Sequence, residues 1–71
     1  MTQIEIVLNG SPFQLSAGQS VTDLVRVLGL PGDGRGVAVA LDGEVLARSA
    51  WSSVRLEPGR RVEIVVATQG G

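Results

Sequence analysis

The stretch RVEIVV, residues 61–66, decides the architecture. β-Branched residues fill most of its positions, and a strand this rich in apolar residues reads as one enclosed by neighbours. QIEIVL, residues 3–8, has the same character at the other end of the chain. Alternation puts Ile4, Ile6 and Leu8 on one face and Gln3, Glu5 and Val7 on the other. The two strands are therefore expected side by side in the middle of one sheet.

Working outward from these strands, Asn9-Gly10 supplies the positive φ values of a two-residue hairpin turn, and SPFQL returns as a second strand with Phe13 and Leu15 on one face. Pro12 lacks an N–H donor, so this strand belongs at an edge. Ser20 and Asp23 have the spacing of a capping box, after which Val21, Leu24, Val25 and Leu28 form an apolar stripe. Gly29 and Pro31 stop the helix, which is expected to run about nine residues and to need a sheet to pack on. PGDGRG, residues 31–36, is a loop, because a phosphate cradle would need a helix immediately after its glycines and a β pattern follows instead. VAVALDGEVL, residues 37–46, is a second hairpin turning at Asp42-Gly43, with Val37, Val39 and Leu41 on one face. An irregular connector follows. Its Trp51 reads as a lid on the end of the core rather than a partner hot spot, and Pro58-Gly59 turns the chain into the last strand.

A helix after the first hairpin crosses one face, and the right-handed crossover rule carries the chain to the far side of the sheet. The expected class is α+β: a mixed four- to five-stranded sheet with one helix packed across one face, the β-grasp arrangement. That helix leaves Val7, Ala38, Ala40 and Val65 on the opposite face. On the residues alone, this patch reads equally as scattered exposure or as a docking site.

Composition narrows the function. The chain has 71 residues, enough for one core, and a formal net charge of -1, with no nucleic-acid footprint. No stretch is apolar for long enough to span a bilayer or serve as a secretory leader, so a cytoplasmic, monomeric protein without membrane or nucleic-acid partners is expected. Histidine, cysteine, tyrosine and lysine are all lacking, which removes the usual general bases, the strongest nucleophile and any thiolate metal site. Glu5, Asp23, Asp33, Asp42, Glu44, Glu57 and Glu63 sit singly at turns, caps or exposed strand positions and read as surface charge. Neither catalysis nor a bound cofactor or metal is expected. Without lysine the chain cannot accept an isopeptide bond to itself, which argues against a chain-forming modifier.

ATQGG, residues 67–71, follows the strand. The division expected is a folded body at 1–66 and a flexible tail at 67–71. Two readings of the tail are open: a frayed terminus, or a strip narrow enough to thread a channel because glycine has no Cβ. Fully extended, the tail reaches at most about 17 Å past the strand.

AGQSVTDLV (residues 17–25), GVAVALDGEVLARSAW (36–51) and LEPGRRVEIVVATQGG (56–71) together resemble the ThiS family of ubiquitin-like sulfur carriers over essentially the whole chain. The resemblance implies that a ubiquitin-activating-like enzyme adenylates the Gly71 carboxylate using ATP and magnesium. Sulfur from a persulfide donor then displaces AMP, and thiazole synthase consumes the thiocarboxylate for thiamine biosynthesis. Gly71 is then the reactive residue and Gly70 gives clearance. Val7, Ala38, Ala40, Val65, Ala67 and Gln69 are the expected partner-binding positions, with Val66 helping to steer the tail. Gln69 departs from the family pattern, in which another glycine often stands there. The nearest alternative is the small subunit of molybdopterin synthase, which also ends in Gly-Gly. A lysine-conjugated modifier and a passive interaction module are the others.

Overall fold

The computed structural model describes residues 2–31 and 34–67. The chain forms β1 (Gln3–Leu8), β2 (Ser11–Ser16), α1 (Val21–Val27), β3 (Val37–Leu41), β4 (Glu44–Leu46) and β5 (Arg61–Val66), with a short 3-10 helix at Arg48–Ala50 between β4 and β5. The connector is thus less irregular than the sequence implies. The five strands make one mixed sheet in the order β2-β1-β5-β3-β4. β1 and β5 run parallel and all other neighbours antiparallel. The two apolar terminal strands are therefore adjacent inside the sheet, and β2, which carries Pro12, lies at an edge. This is the β-grasp fold.

Both hairpin turns take the twist that a right-handed sheet favours. Asn9 and Gly10 have φ values of 50° and 83°, and Asp42 and Gly43 have 50° and 88°.

The helix is held at each end by bonds that its sequence encodes. At the start, Ser20 Oγ accepts from the Asp23 N–H and an Asp23 carboxylate oxygen accepts from the Ser20 N–H, closing the capping box. The Val21 and Thr22 amides donate to the carbonyls of Val54 and Trp51, so the connector satisfies the helix's remaining open donors. At the end, Gly29 N–H donates to Arg26 and Leu30 N–H to Val25, the Schellman closure. Gly29 has φ 77°, which glycine adopts without strain. Ser20 and Leu28 act as caps, leaving 7 helical residues where about nine were expected.

One core lies between helix and sheet. Ile6, Leu15, Val39, Leu41, Val62 and Ile64 enter it from the strands, Val21, Leu24 and Val25 from the helix, and Trp51 and Leu56 from the connector. Each buried aliphatic chain contributes about 1.5–3 kcal/mol relative to exposure. Trp51 closes one end of the core, as its sequence position implies. Its indole Nε1 donates to the Leu46 carbonyl at 3.1 Å, so the buried ring keeps its polar atom paired. No helix among the described residues is long and apolar enough to cross a membrane.

Candidate functional site

The sheet face turned away from the helix carries the candidate docking residues, and strand register decides which of them meet there. Ala38 pairs with Val65, and Ala40 stands between Glu63 on β5 and Val45 on β4. Two alanines thus make a low floor between two valines. Val45 and Val65 are 84% and 65% exposed, unusual for valine. Together these side chains line a shallow groove of about 390 Å³, with Asn9 and Glu63 at its polar margin.

This groove leads to the end of β5. A second hollow shares Ala38, Val39, Val45 and Val65 with it and continues past Gly36 to Ala67, flanked by Arg35 and Arg48. Ala67 N–H donates to the Gly36 carbonyl at 2.7 Å, extending the β3–β5 pairing by one residue. The chain therefore reaches its last described position alongside an apolar channel open to solvent.

Of the residues expected from sequence, Ala38, Ala40, Val65 and Ala67 are brought together. Val7 is not: it is half-buried opposite Pro12 and Arg61, in a separate hollow with Gly10, Asp42, Gly43 and Arg61. Val66 points to the other face of β5, as Val65 points to this one. Gln69, Gly70 and Gly71 lie outside the described residues. Val45 is the member that sequence reasoning missed. The two-residue turn at Asp42-Gly43 sets Leu41 against Glu44 and so Ala40 against Val45, a register readable from the turn alone.

The electrostatics of the described acids are structural. Asp42 accepts from the Arg61 backbone N–H at 3.0 Å and from the Arg60 guanidinium. These bonds, the backbone one foremost, hold its carboxyl below the ordinary value of 3.8. Asp23 is lowered too, first by the Ser20 backbone N–H and then by the Ser20 hydroxyl. Among the described residues no cluster of acids could hold a metal ion.

A five-stranded β-grasp body whose interior strand runs out beside an apolar groove defines a ubiquitin-like domain. The chain belongs to the ThiS family, which matches it over residues 6–71. It is similar to the thiamine biosynthesis protein ThiS from Geobacter metallireducens. The crystal structure of that protein has 30% sequence identity and a TM-score of 0.79, over 96% of this chain and 100% of that one. Its NMR solution structure gives the same identity and TM-score, over 96% of this chain and 88% of that one. A thiazole synthase from Paramagnetospirillum magneticum is 34% identical over 68 residues, 96% of this chain but 20% of the relative. The chain thus spans about a fifth of that relative's length.

Proposed function

We propose that this chain is a sulfur carrier of thiamine biosynthesis that presents its Gly71 carboxylate to partner enzymes. A carboxylate is a poor acyl donor because its leaving group would be oxide. An adenylating partner of the ubiquitin-activating type, using ATP and magnesium, joins the carboxylate to AMP and releases pyrophosphate. The terminal sulfur of a cysteine persulfide on a second partner then attacks the acyl carbon and displaces AMP, giving an acyl disulfide. A thiol of that partner or of a small-molecule reductant attacks the S–S bond, is itself oxidised to a disulfide, and releases the thiocarboxylate that thiazole synthase consumes. The carrier itself is not an enzyme and binds no cofactor. Its part is to dock its body and to deliver a strip that fits a narrow site.

The observation that supports this most is the family match running through residue 71, joined to an apolar groove that leads from the sheet face to Ala67. The similarity to a thiazole synthase and to ThiS favours the thiamine branch over molybdopterin synthesis. The test is the intact mass of the chain after incubation with the adenylating enzyme, ATP, magnesium, a persulfide source and a thiol reductant. An oxygen-to-sulfur exchange confined to the C-terminal peptide supports the reading. An unchanged carboxylate in the presence of an active partner set counts against it, and amide adducts on lysines of other proteins would mean a modifier.

A further inference from the structure

Three contacts link the tryptophan lid to the point where the tail leaves the sheet. Trp51 is buried and anchored through its indole N–H to Leu46. Gly34 is buried against it: a Cβ at Gly34 would lie 2.9 Å from Trp51 Cζ3 and would also overlap the Arg48 side chain. Gly34 then begins a tight turn, with Val37 N–H donating to the Gly34 carbonyl at 3.0 Å. Gly34 and Gly36 have φ values of 77° and 71°, and the turn aims the Gly36 carbonyl at Ala67 N–H. A lid needs only to exclude water. A lid that tolerates no side chain beneath a left-handed turn also fixes the position of that turn.

We propose that Trp51 is a positioning residue for the tail: its ring seats Gly34, and the turn so placed holds Ala67 as the launching point of the strip that ends at Gly71. The inference rests on the carrier reading for its functional consequence, while the mechanical link stands without it. The apolar groove governs docking and the Gly36–Ala67 bond governs where the strip starts. Displacing the start misaligns the carboxylate in a partner already bound, so the loss falls on kcat more than on KM, by roughly ten- to a hundredfold for a shift near 1 Å.

The test uses the full chain with three variants and two readouts. Ala67→Pro removes the N–H that Gly36 receives, at an exposed position following an extended residue, and leaves the core intact. Gly34→Ala pushes on the Arg48 side chain and the Trp51 ring and also strains the turn at φ 77°. Trp51→Phe, which leaves the turn backbone alone, is therefore measured beside it by the same exchange readout and is expected to raise Ala67 exchange too. The first readout is amide hydrogen exchange of the free protein. In Gly34→Ala, exchange at Ala67 is expected to rise at least about tenfold, with Val62 and Ile64 unchanged. The second is ATP–pyrophosphate exchange with the adenylating enzyme, in which Ala67→Pro, at the far end of the groove, is expected to lower kcat by a larger factor than it raises KM. Unaltered Ala67 exchange in folded Gly34→Ala overturns the link through Trp51. Wild-type kcat in Ala67→Pro overturns the role of the launching point. Unaltered Ala67 exchange in folded Trp51→Phe overturns the link whether or not Gly34→Ala folds. Failure of the wild-type chain to be adenylated overturns the carrier reading, and the exchange arm still decides the mechanical link.

Discussion

The side chain of Asn9 pairs with the backbone of Ile64 as a strand residue would, accepting from its N–H at 2.8 Å and donating to its carbonyl at 3.3 Å. The Asn9 backbone amide meanwhile donates to the Val62 carbonyl. β1 turns away at Asn9-Gly10, so without this amide the middle of β5 would lose its neighbour. Asn9→Gly keeps the positive φ of the turn but deletes both bonds. It is expected to cost about 1–3 kcal/mol, read as a lower urea midpoint with unchanged slope. Asn9→Asp retains the acceptor and sets a carboxylate against the Ile64 carbonyl, so it is expected to be destabilising at neutral pH and to recover partly on acidification.

Acid sensitivity follows from Asp23 and Asp42. Both carboxyls titrate below 3.8 when folded because backbone amides bond to their charged forms. Near that pH the unfolded chain binds more protons than the folded one. The stabilisation is therefore complete above the unfolded value and is lost as pH falls through the lower folded values. Asp42→Asn is expected to flatten the decline of the urea midpoint below about pH 4, and the Asp23→Asn, Asp42→Asn double variant to flatten it further. An acid limb identical to wild type in the double variant contradicts this assignment.

The exposed groove predicts a separation of stability from activity. Val45 is 84% exposed, so Val45→Asp removes little buried area and is expected to shift unfolding by no more than about 0.5 kcal/mol. A carboxylate on the groove floor's edge must be desolvated when an apolar partner docks. The expected result is a raised KM for the chain in partner-dependent adenylation, by about tenfold or more, with kcat retained. The same change at Val7 is expected to leave KM near wild type, since Val7 lines a different hollow.

What was legible in the sequence is what local rules govern. The turns at Asn9-Gly10 and Asp42-Gly43, the Ser20–Asp23 capping box and the Gly29 stop each need only a few adjacent residues. So does alternation, which assigned Ala38, Ala40 and Val65 to the open face. Alternation gives a face but not a position along it, which is why Val7 was grouped with residues at the far end. Its neighbour Arg61 is set by the parallel stagger of β1 and β5, across most of the chain. Val45 sits on a strand of 3 residues, too short for its pattern to stand out. The Asn9–Ile64 pairing and the seat of Gly34 on Trp51 join distant segments, and no local signal encodes either.

The last prediction concerns the two glycines themselves. If Gly70 and Gly71 are required only for passage into a narrow site, then adding β-branched side chains there should leave the body untouched. The double variant Gly70→Val, Gly71→Val is expected to unfold within about 0.5 kcal/mol of wild type, because among the described residues the last side chain in the core is Ile64. Competition against wild-type chain for the adenylating enzyme is expected to show that the body still binds, as docking through the proposed groove requires. Pyrophosphate exchange, in contrast, is expected to fall at least about a hundredfold, since a Cβ at either position blocks the approach of the carboxylate to the phosphorus of ATP. A double variant that is adenylated at the wild-type rate shows that clearance is not what these glycines provide. One that fails to compete places them in the docking interface instead.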